Sequence, residues 1–333
     1  MALILRRLLQ LPLILAAVFT LTLALAWGAP GNPLERGDRR PPPEVEAAMR
    51  AQYRLDSFWS FYGSYLDSAS GVRYVRESLD GTADADARRA AAEGLRPPAR
   101  RVFDFGPSLQ YRDQRVNDIL ADFLPVSITV GSAAILIALF LGVGAGVIGA
   151  LRPGGVLDTL SLGLALAGIS VPNFIVGTAL LAIFSLWLGW FPVAEWGHAR
   201  DVVLPALTLS LPFAAYIARL TRVGMLEALS ADYIRTARAK GLPEWRVVTV
   251  HALKNALLPV VSYLGPAAAG AMTGSFVVEV VFNVPGLGQH FVNAVQNKDL
   301  FLLMGVVLVY ATMLVVFNLA VDVMYRWIDP RIA

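Results

Sequence analysis

Polar residues in this chain fall in blocks, separated by six long stretches that carry no charge: Leu8 to Leu34, Phe123 to Leu151, Thr159 to Ala194, Val202 to Ala218, Asn255 to Val278 and Leu300 to Val321. Each is close to or longer than the ~20 apolar residues that a helix needs to cross a bilayer, so the pattern predicts six membrane-spanning helices. The third stretch is long enough for two crossings and holds Pro172 in its middle, where a missing N–H interrupts a helix. Basic residues decide its count, because short cytoplasmic loops collect lysine and arginine. With six spans and the N-terminus inside, Arg6, Arg7, Arg152, Arg219, Arg222, Arg235, Arg238, Lys240, Arg246, Lys254, Arg326 and Arg331 fall on the cytoplasmic side, and the short outer loops keep Arg200 and Lys298. Splitting the third stretch would export either the basic 219–254 segment or the N-terminal arginines. One proline-interrupted span is therefore expected there.

This reading divides the chain into a first transmembrane helix, residues 1–27, an extracytoplasmic segment, 28–122, and a membrane core, 123–333, which includes a cytoplasmic loop at 223–254. The first 27 residues also fit a cleaved signal peptide, with Arg6 and Arg7 ahead of an apolar run that ends in Ala24-Leu25-Ala26. That run is longer than the usual signal core, which favours a retained helix. In the outer segment 14 arginines face 15 acidic residues, so its charges nearly cancel. Gly81 to Arg101 reads as an insertion without its own core, while Tyr53 to Leu66 and Phe103 to Tyr111 carry enough aromatic surface to pack against the membrane helices or a partner.

Composition narrows the chemistry. Hydrophobic residues make up 56% of the chain and charged ones 16%, against about 25% charged in ordinary soluble domains. The net charge of +3 comes from scattered basic residues without a basic block; a lipid bilayer is the expected partner, and nucleic acid is not. Zero cysteines exclude disulfides and thiolate chemistry, and three histidines far apart in sequence, His198, His251 and His290, make no metal cluster. The phosphate-loop pattern G-x-x-x-x-G-K-[ST] is absent, as are the hydrolase patterns G-x-S-x-G and H-E-x-x-H. No catalytic residue, cofactor or metal is expected, and work must come from a partner or from an ion gradient.

The longest hydrophilic interruption on the cytoplasmic side is residues 225–261. Asp232 can cap a helix containing Ile234 to Lys240, Gly241 suits the left-handed position after its end, and Pro243 can open a second helix. Arg235, Arg238 and Lys240 sit near the negative end of the first helix and Glu244 at the positive start of the second. A rigid helix, bend, helix is predicted. Its sequence, ADYIRTARAKGL followed by HALKNALLPVV, resembles the coupling loop of the permease subunits of ABC importers, in the variant of the dipeptide, oligopeptide and nickel family. The resemblance extends along most of the chain: ILRRLLQLPLILAAVFTLT, PGNP at 30–33, GISVPNF at 168–174, LPALTLSLP at 204–212, VVEVVFNVPGLGQ at 277–289 and VDVMYRWIDPRI at 321–332 are similar to that family's B-type subunit in order and spacing. Where the common importer loop starts Glu-Ala-Ala and later has a proline, this chain has Arg235-Thr236-Ala237 and Lys254, which points to the peptide branch. Residues 72–102 look extra.

The resemblance implies an all-α polytopic permease core and a prokaryotic plasma membrane location, the inner membrane if the cell is Gram-negative, with both termini cytoplasmic. It implies four kinds of contact: a homologous C-type permease, two ABC ATPase subunits, an extracytoplasmic substrate-binding protein, and lipid. Asp232, Tyr233, Arg235, Thr236, Ala237, Arg238, Ala239, Lys240, Gly241, Leu242 and Pro243 then form the ATPase-coupling loop. Glu279, Pro285, Gly286 and Gly288 form an outer turn near the substrate path, leading into an amphipathic or re-entrant piece with Phe291, Val292 and Val295; His290 and Asn293 are weaker candidates. Gly142 with Gly146, and Gly270 with Gly274, permit close helix approach, within the chain or at a seam with a second subunit. Glu279 and Asp322 are carboxylates near membrane depth, expected at the two interfaces. They are also what the alternative, an ion-gradient-driven transporter or channel, would use.

Overall fold

A computed structural model describes residues 2–35, 40–82, 100–111 and 113–328. Among them the secondary structure is helical, apart from an isolated antiparallel bridge between Pro107 and Arg115. Four helices are long and apolar enough to span a membrane, and two bent pairs bring the number to six if each pair is one crossing. The all-α polytopic expectation holds.

The spans differ from the charge-free stretches at their ends. Helix α1 (Ala2–Gly28) stops short of Leu34. After α2 (Pro43–Gln52), α3 (Phe58–Ala69) and α4 (Val72–Leu79), helix α5 (Val116–Leu151) starts seven residues before Phe123. A charge ends an apolar stretch in the sequence but not a helix, whose backbone hydrogen bonds continue unchanged into water. The third stretch forms α6 (Val156–Ser170) and α7 (Asn173–Trp187), bent by 106° at Val171-Pro172, where proline removes a donor and forces its predecessor extended; Val171 has φ −84° and ψ 124°. A turn at Ala199–Val202 leads into α8 (Val203–Ser230), followed by α9 (Asp232–Ala239), α10 (Glu244–Ala256) and α11 (Leu258–Met272), the last two bent by 54°. Helices α12 (Phe276–Phe282), α13 (Leu287–Gln296) and α14 (Leu300–Ile328) complete the chain.

Two compact units result: residues 1–9, 123–289 and 312–333 form one, and 10–122 with 290–311 the other. In the first unit, small residues bring helices to backbone contact. A Cβ on Gly142 would lie 2.6 Å from the Ala214 carbonyl, and one on Gly146 2.6 Å from that of Ala218, so this glycine pair seats α5 on α8. Gly270, by contrast, faces open space. Helix α6 is pinned to α8 by an ion pair between the half-buried Arg222 and the buried Asp158, in which Arg222 Nη2 donates to Asp158 Oδ2 at 2.8 Å and Nε to Oδ1 at 2.5 Å; the Gly154 N–H also donates to Oδ2.

In the second unit the aromatic segment meets α1 and the start of α14. Phe19 stacks on Tyr65 at 5.3 Å, and Phe301 meets Phe61 edge-on at 5.1 Å. Lys298 Nζ donates to the carbonyls of Trp27, Ala29 and Gly31, where α1 ends and its dipole is negative. Asp299, fully buried, caps α14 through the Leu302 N–H and accepts also from Ser108 Oγ and the Leu109 and Gln110 amides; burial pushes its carboxyl above the usual range. Residues 83–99 of the expected insertion lie outside the described residues.

Candidate functional site

Helix α9 and its turn form the candidate site. The helix begins at Asp232, with Ala231 as the extended cap residue, so Asp232 does not cap it as expected. Its carboxylate instead pairs with Arg235 Nη1 at 3.3 Å, one turn on. The far end is closed as the sequence indicated. Gly241 has φ +74°, its N–H donates to the Arg238 carbonyl at 2.9 Å, and the Leu242 N–H reaches back to Ala237 at 3.4 Å. These two bonds are the Schellman arrangement, which needs a residue able to turn left-handed at Gly241's place. Pro243 then caps α10, accepting from the Arg246 and Val247 amides, and Arg238 donates through both Nε and Nη2 to the Glu244 carboxylate across the turn.

Two side chains hold this elbow down. Ile234 is fully buried and Ala237 nearly so; with Leu242 packed beside them, they enter a cluster made by Ala150 at the end of α5, Met225 and Ala228 on α8, and Val247, Val248, Ala252 and Ala256 on α10. The α10 positions share a face because Val247–Ala252 is π-helical, and a π turn lines up residues five apart. Where α8 meets α10, a Cβ on Gly224 would be 2.5 Å from the Ala256 carbonyl. The elbow is thus clamped to the ends of three helices. Asp232, Tyr233, Arg235, Thr236, Arg238, Ala239, Lys240, Gly241 and Pro243 are exposed, with Glu244, Trp245 and Arg246 continuing the same surface. The Tyr233 hydroxyl accepts from Asn255 at 3.0 Å, and the Arg246 guanidinium lies 5.4 Å from the Trp245 ring.

Of the eleven residues expected in the loop, nine form this exposed surface, while Ala237 is buried and Leu242 half-buried, so these two anchor the elbow. Ile234, left out of that set, is its main anchor. Its signal was an apolar pair three residues apart, Ile234 and Ala237, in an otherwise polar helix.

The second candidate, the turn after α12, is also assembled. Glu279 is 3% exposed: α12 and α13 fold over it. Oε1 accepts from Ser127 Oγ at 2.9 Å and Oε2 from the Gln289 N–H at 3.0 Å, with a further backbone bond from Gly288. Ser127 Oγ in turn accepts from the Leu287 N–H at 2.8 Å. The carboxylate therefore sits against the first turn of α13, where unpaired N–H groups favour an anion. Added Cβ atoms at Gly274, Gly286 and Gly288 would lie 2.5, 2.2 and 2.8 Å from its oxygens, so no larger residue fits around it. Pro285 follows the left-handed Asn283 at φ 52° and sets the bend. Ser127, unremarked in the sequence, ties this turn to α5. Asp322 is half-buried on α14. Asn293 Nδ2 lies 3.3 Å from the Tyr111 hydroxyl, and the His290 ring is 5.1 Å from that of Tyr111.

Residues 132–333 match the family described as binding-protein-dependent transport system inner membrane component. Over 332 residues the chain is 41% identical to the oligopeptide transport system permease protein OppB of Escherichia coli (strain K12), covering 99% of this chain and 98% of that protein. It is 39% identical over 318 residues to the dipeptide transport system permease protein DppB of Bacillus subtilis (strain 168), covering 95% and 92%. Among solved structures, the MetNI methionine ABC transporter in inward-facing conformations overlays with a TM-score of 0.50 at 19% identity, covering 64% of this chain and 97% of that one, a likeness of fold.

Proposed function

The chain belongs to the family of binding-protein-dependent transport system inner membrane components, and from that premise we propose that it is the B-type membrane subunit of an ABC importer for peptides. The substrate class is supported by near full-length relatives that are oligopeptide and dipeptide permeases. Its partners are a homologous C-type permease, two ATPase subunits that hydrolyse ATP, and a binding protein that delivers peptide from outside. The elbow lies on the cytoplasmic side with both termini, and the turn at Glu279, Pro285, Gly286 and Gly288 lies on the outer side near the path.

The observation that carries this reading is the elbow itself. A Schellman-closed helix exposes nine polar or small positions while Ile234 and Ala237 lock it to α5, α8 and α10. A part built this way transmits force: a partner that grips Asp232–Pro243 moves the ends of three helices together. Closure of the ATP-bound ATPase dimer displaces the elbow, and the spans attached to it reopen the path toward the outside. An ion-gradient mechanism finds no free carboxylate at Glu279, whose oxygens are held by Ser127 and the start of α13.

Gly241→Pro tests the role. Proline cannot adopt φ +74° and has no N–H for the bond to Arg238. In proteoliposomes containing the assembled transporter, ATP hydrolysis is expected to continue while peptide uptake is lost, and Gly241→Asn, which tolerates the left-handed turn, retains uptake. Normal uptake by the proline variant, or failure of thiol crosslinkers placed at 235–245 to capture an ATPase, refutes the assignment.

A further inference from the structure

The faces that α8 and α11 leave uncovered carry chemistry unsuited to lipid. On α8 the exposed positions from the middle onward are Tyr216, Arg219, Val223, Glu227 and Ser230, spaced three or four apart and so on one stripe. On α11 they are Pro259, Ser262, Pro266 and Gly270, again one stripe, opposite the alanine-rich face that packs into the core. The two stripes adjoin, because Tyr216 meets Tyr263, the neighbour of Ser262, with ring centroids 4.4 Å apart and the planes tilted by 38°. Arg219 makes no ion pair among the described residues. By contrast, the large exposed side chains in the middle of α5 and along α6 are apolar: Leu136 and Phe140 on α5, and Leu157, Leu160 and Leu164 on α6.

We infer that the Tyr216–Arg219 stripe of α8 and the Ser262–Gly270 stripe of α11 form this chain's wall of the water-filled peptide path. Polar side chains in spans are costly against lipid and face water or protein instead. Helix α8 with its leading turn, Ala199–Ser230, is 32 residues long, about 48 Å at 1.5 Å per residue, against a hydrocarbon core of about 30 Å. Eleven residues before its end at Ser230, Arg219 stands ~16 Å from the elbow end of the helix, at the inner mouth of such a path, with Tyr216 a turn deeper. The occupant that fits is a peptide. Its amide planes stack on the tyrosine pair, its terminal or side-chain carboxylates meet Arg219, and the small Ser262 and Gly270 leave room for its side chains. The stripe is continuous with α9, so elbow motion reaches the wall directly. This inference rests on the importer reading above.

The natural absence of cysteine gives a direct test. Single variants Tyr216→Cys, Ser262→Cys and Gly270→Cys, with Phe140→Cys and Leu164→Cys as lipid-facing controls, are assembled with the partner subunits in proteoliposomes and treated with a membrane-impermeant charged thiol reagent. The wall positions are expected to react at least ~10-fold faster than the controls, and transported peptide with ATP is expected to slow them. Labelling at 216, 262 and 270 no faster than at 140 and 164 overturns the inference. So does spontaneous crosslinking of all three wall positions to the second permease in every nucleotide state, which would make this face a subunit seam. Loss of ATP-driven peptide uptake in the cysteine-free parent would instead strike the importer reading itself, and a parent that transports while its wall positions stay unlabelled strikes only the inference.

Discussion

The elbow's stiffness depends on very little buried surface, which makes Ile234 the most informative residue to change. Burying an isoleucine side chain is worth about 1.5–3 kcal/mol, and in α9 Ala237 and the half-buried Leu242 after it add less. Ile234→Ala removes that anchor and leaves a cavity among Met225, Val247 and Ala256, at a cost of ~2–5 kcal/mol; Ile234→Val removes one methyl group, at ~0.5–1.5 kcal/mol. Global unfolding need not follow, because the cluster's α8 and α10 members still pack on each other and on α5. The loss falls on docking of the elbow, whose opening is a local event. A deficit near 2.7 kcal/mol multiplies the open population by about a hundred. Hydrogen exchange on the assembled transporter should therefore show amide protection over Thr236–Leu242 falling roughly 100-fold in the alanine variant and under about 10-fold in the valine variant, with α11 unchanged. Uptake per ATP hydrolysed should fall in the same order. If Ile234→Ala leaves both protection and stoichiometry at the parental level, the clamp is not what makes the elbow a lever.

Other expectations follow from single contacts. Gly146→Leu forces a side chain into the 2.6 Å approach to Ala218 and should cost ~1–3 kcal/mol by overpacking, read as a lowered melting temperature in detergent, whereas a residue of any size should be accepted at Gly144, where nothing lies within 4 Å. Glu279→Gln replaces an acceptor in the cradle with a donor and should cost ~1–3 kcal/mol; the uptake that remains should keep the parental pH profile, and a displaced profile would favour a proton relay. Glu46 is held at about 2, below its usual 4.5, chiefly by the Arg40 hydrogen bond and also by Arg50 and Asn32. Its contribution to stability is therefore complete above pH 4.5 and lost as pH falls from there toward 2. Acid unfolding of the outer segment, followed by tryptophan fluorescence, should lose that pH-dependent component in Glu46→Gln.

What the sequence could settle is whatever a bilayer and a short turn impose locally. Apolar length located the four long spanning helices and the two bent pairs because a helix in lipid must be long and uncharged, and Pro172 located the break in the third stretch because proline acts on its own neighbours. Gly241 and Pro243 located the elbow for the same reason: a left-handed turn and a following helix start are properties of a few adjacent residues. Span ends were misjudged wherever a helix runs on into water, since charge and helix termination are independent.

Tertiary packing decided the rest. Whether Asp232 caps or pairs depends on where Arg235 swings, and the cradle that holds Glu279 depends on Ser127, 152 residues away in sequence. Gly142 and Gly270 occupy similar patterns, yet one presses on Ala214 and the other faces open space. Side-chain periodicity states that a face exists; only the neighbouring helix, set by contacts distant in sequence, determines what that face meets.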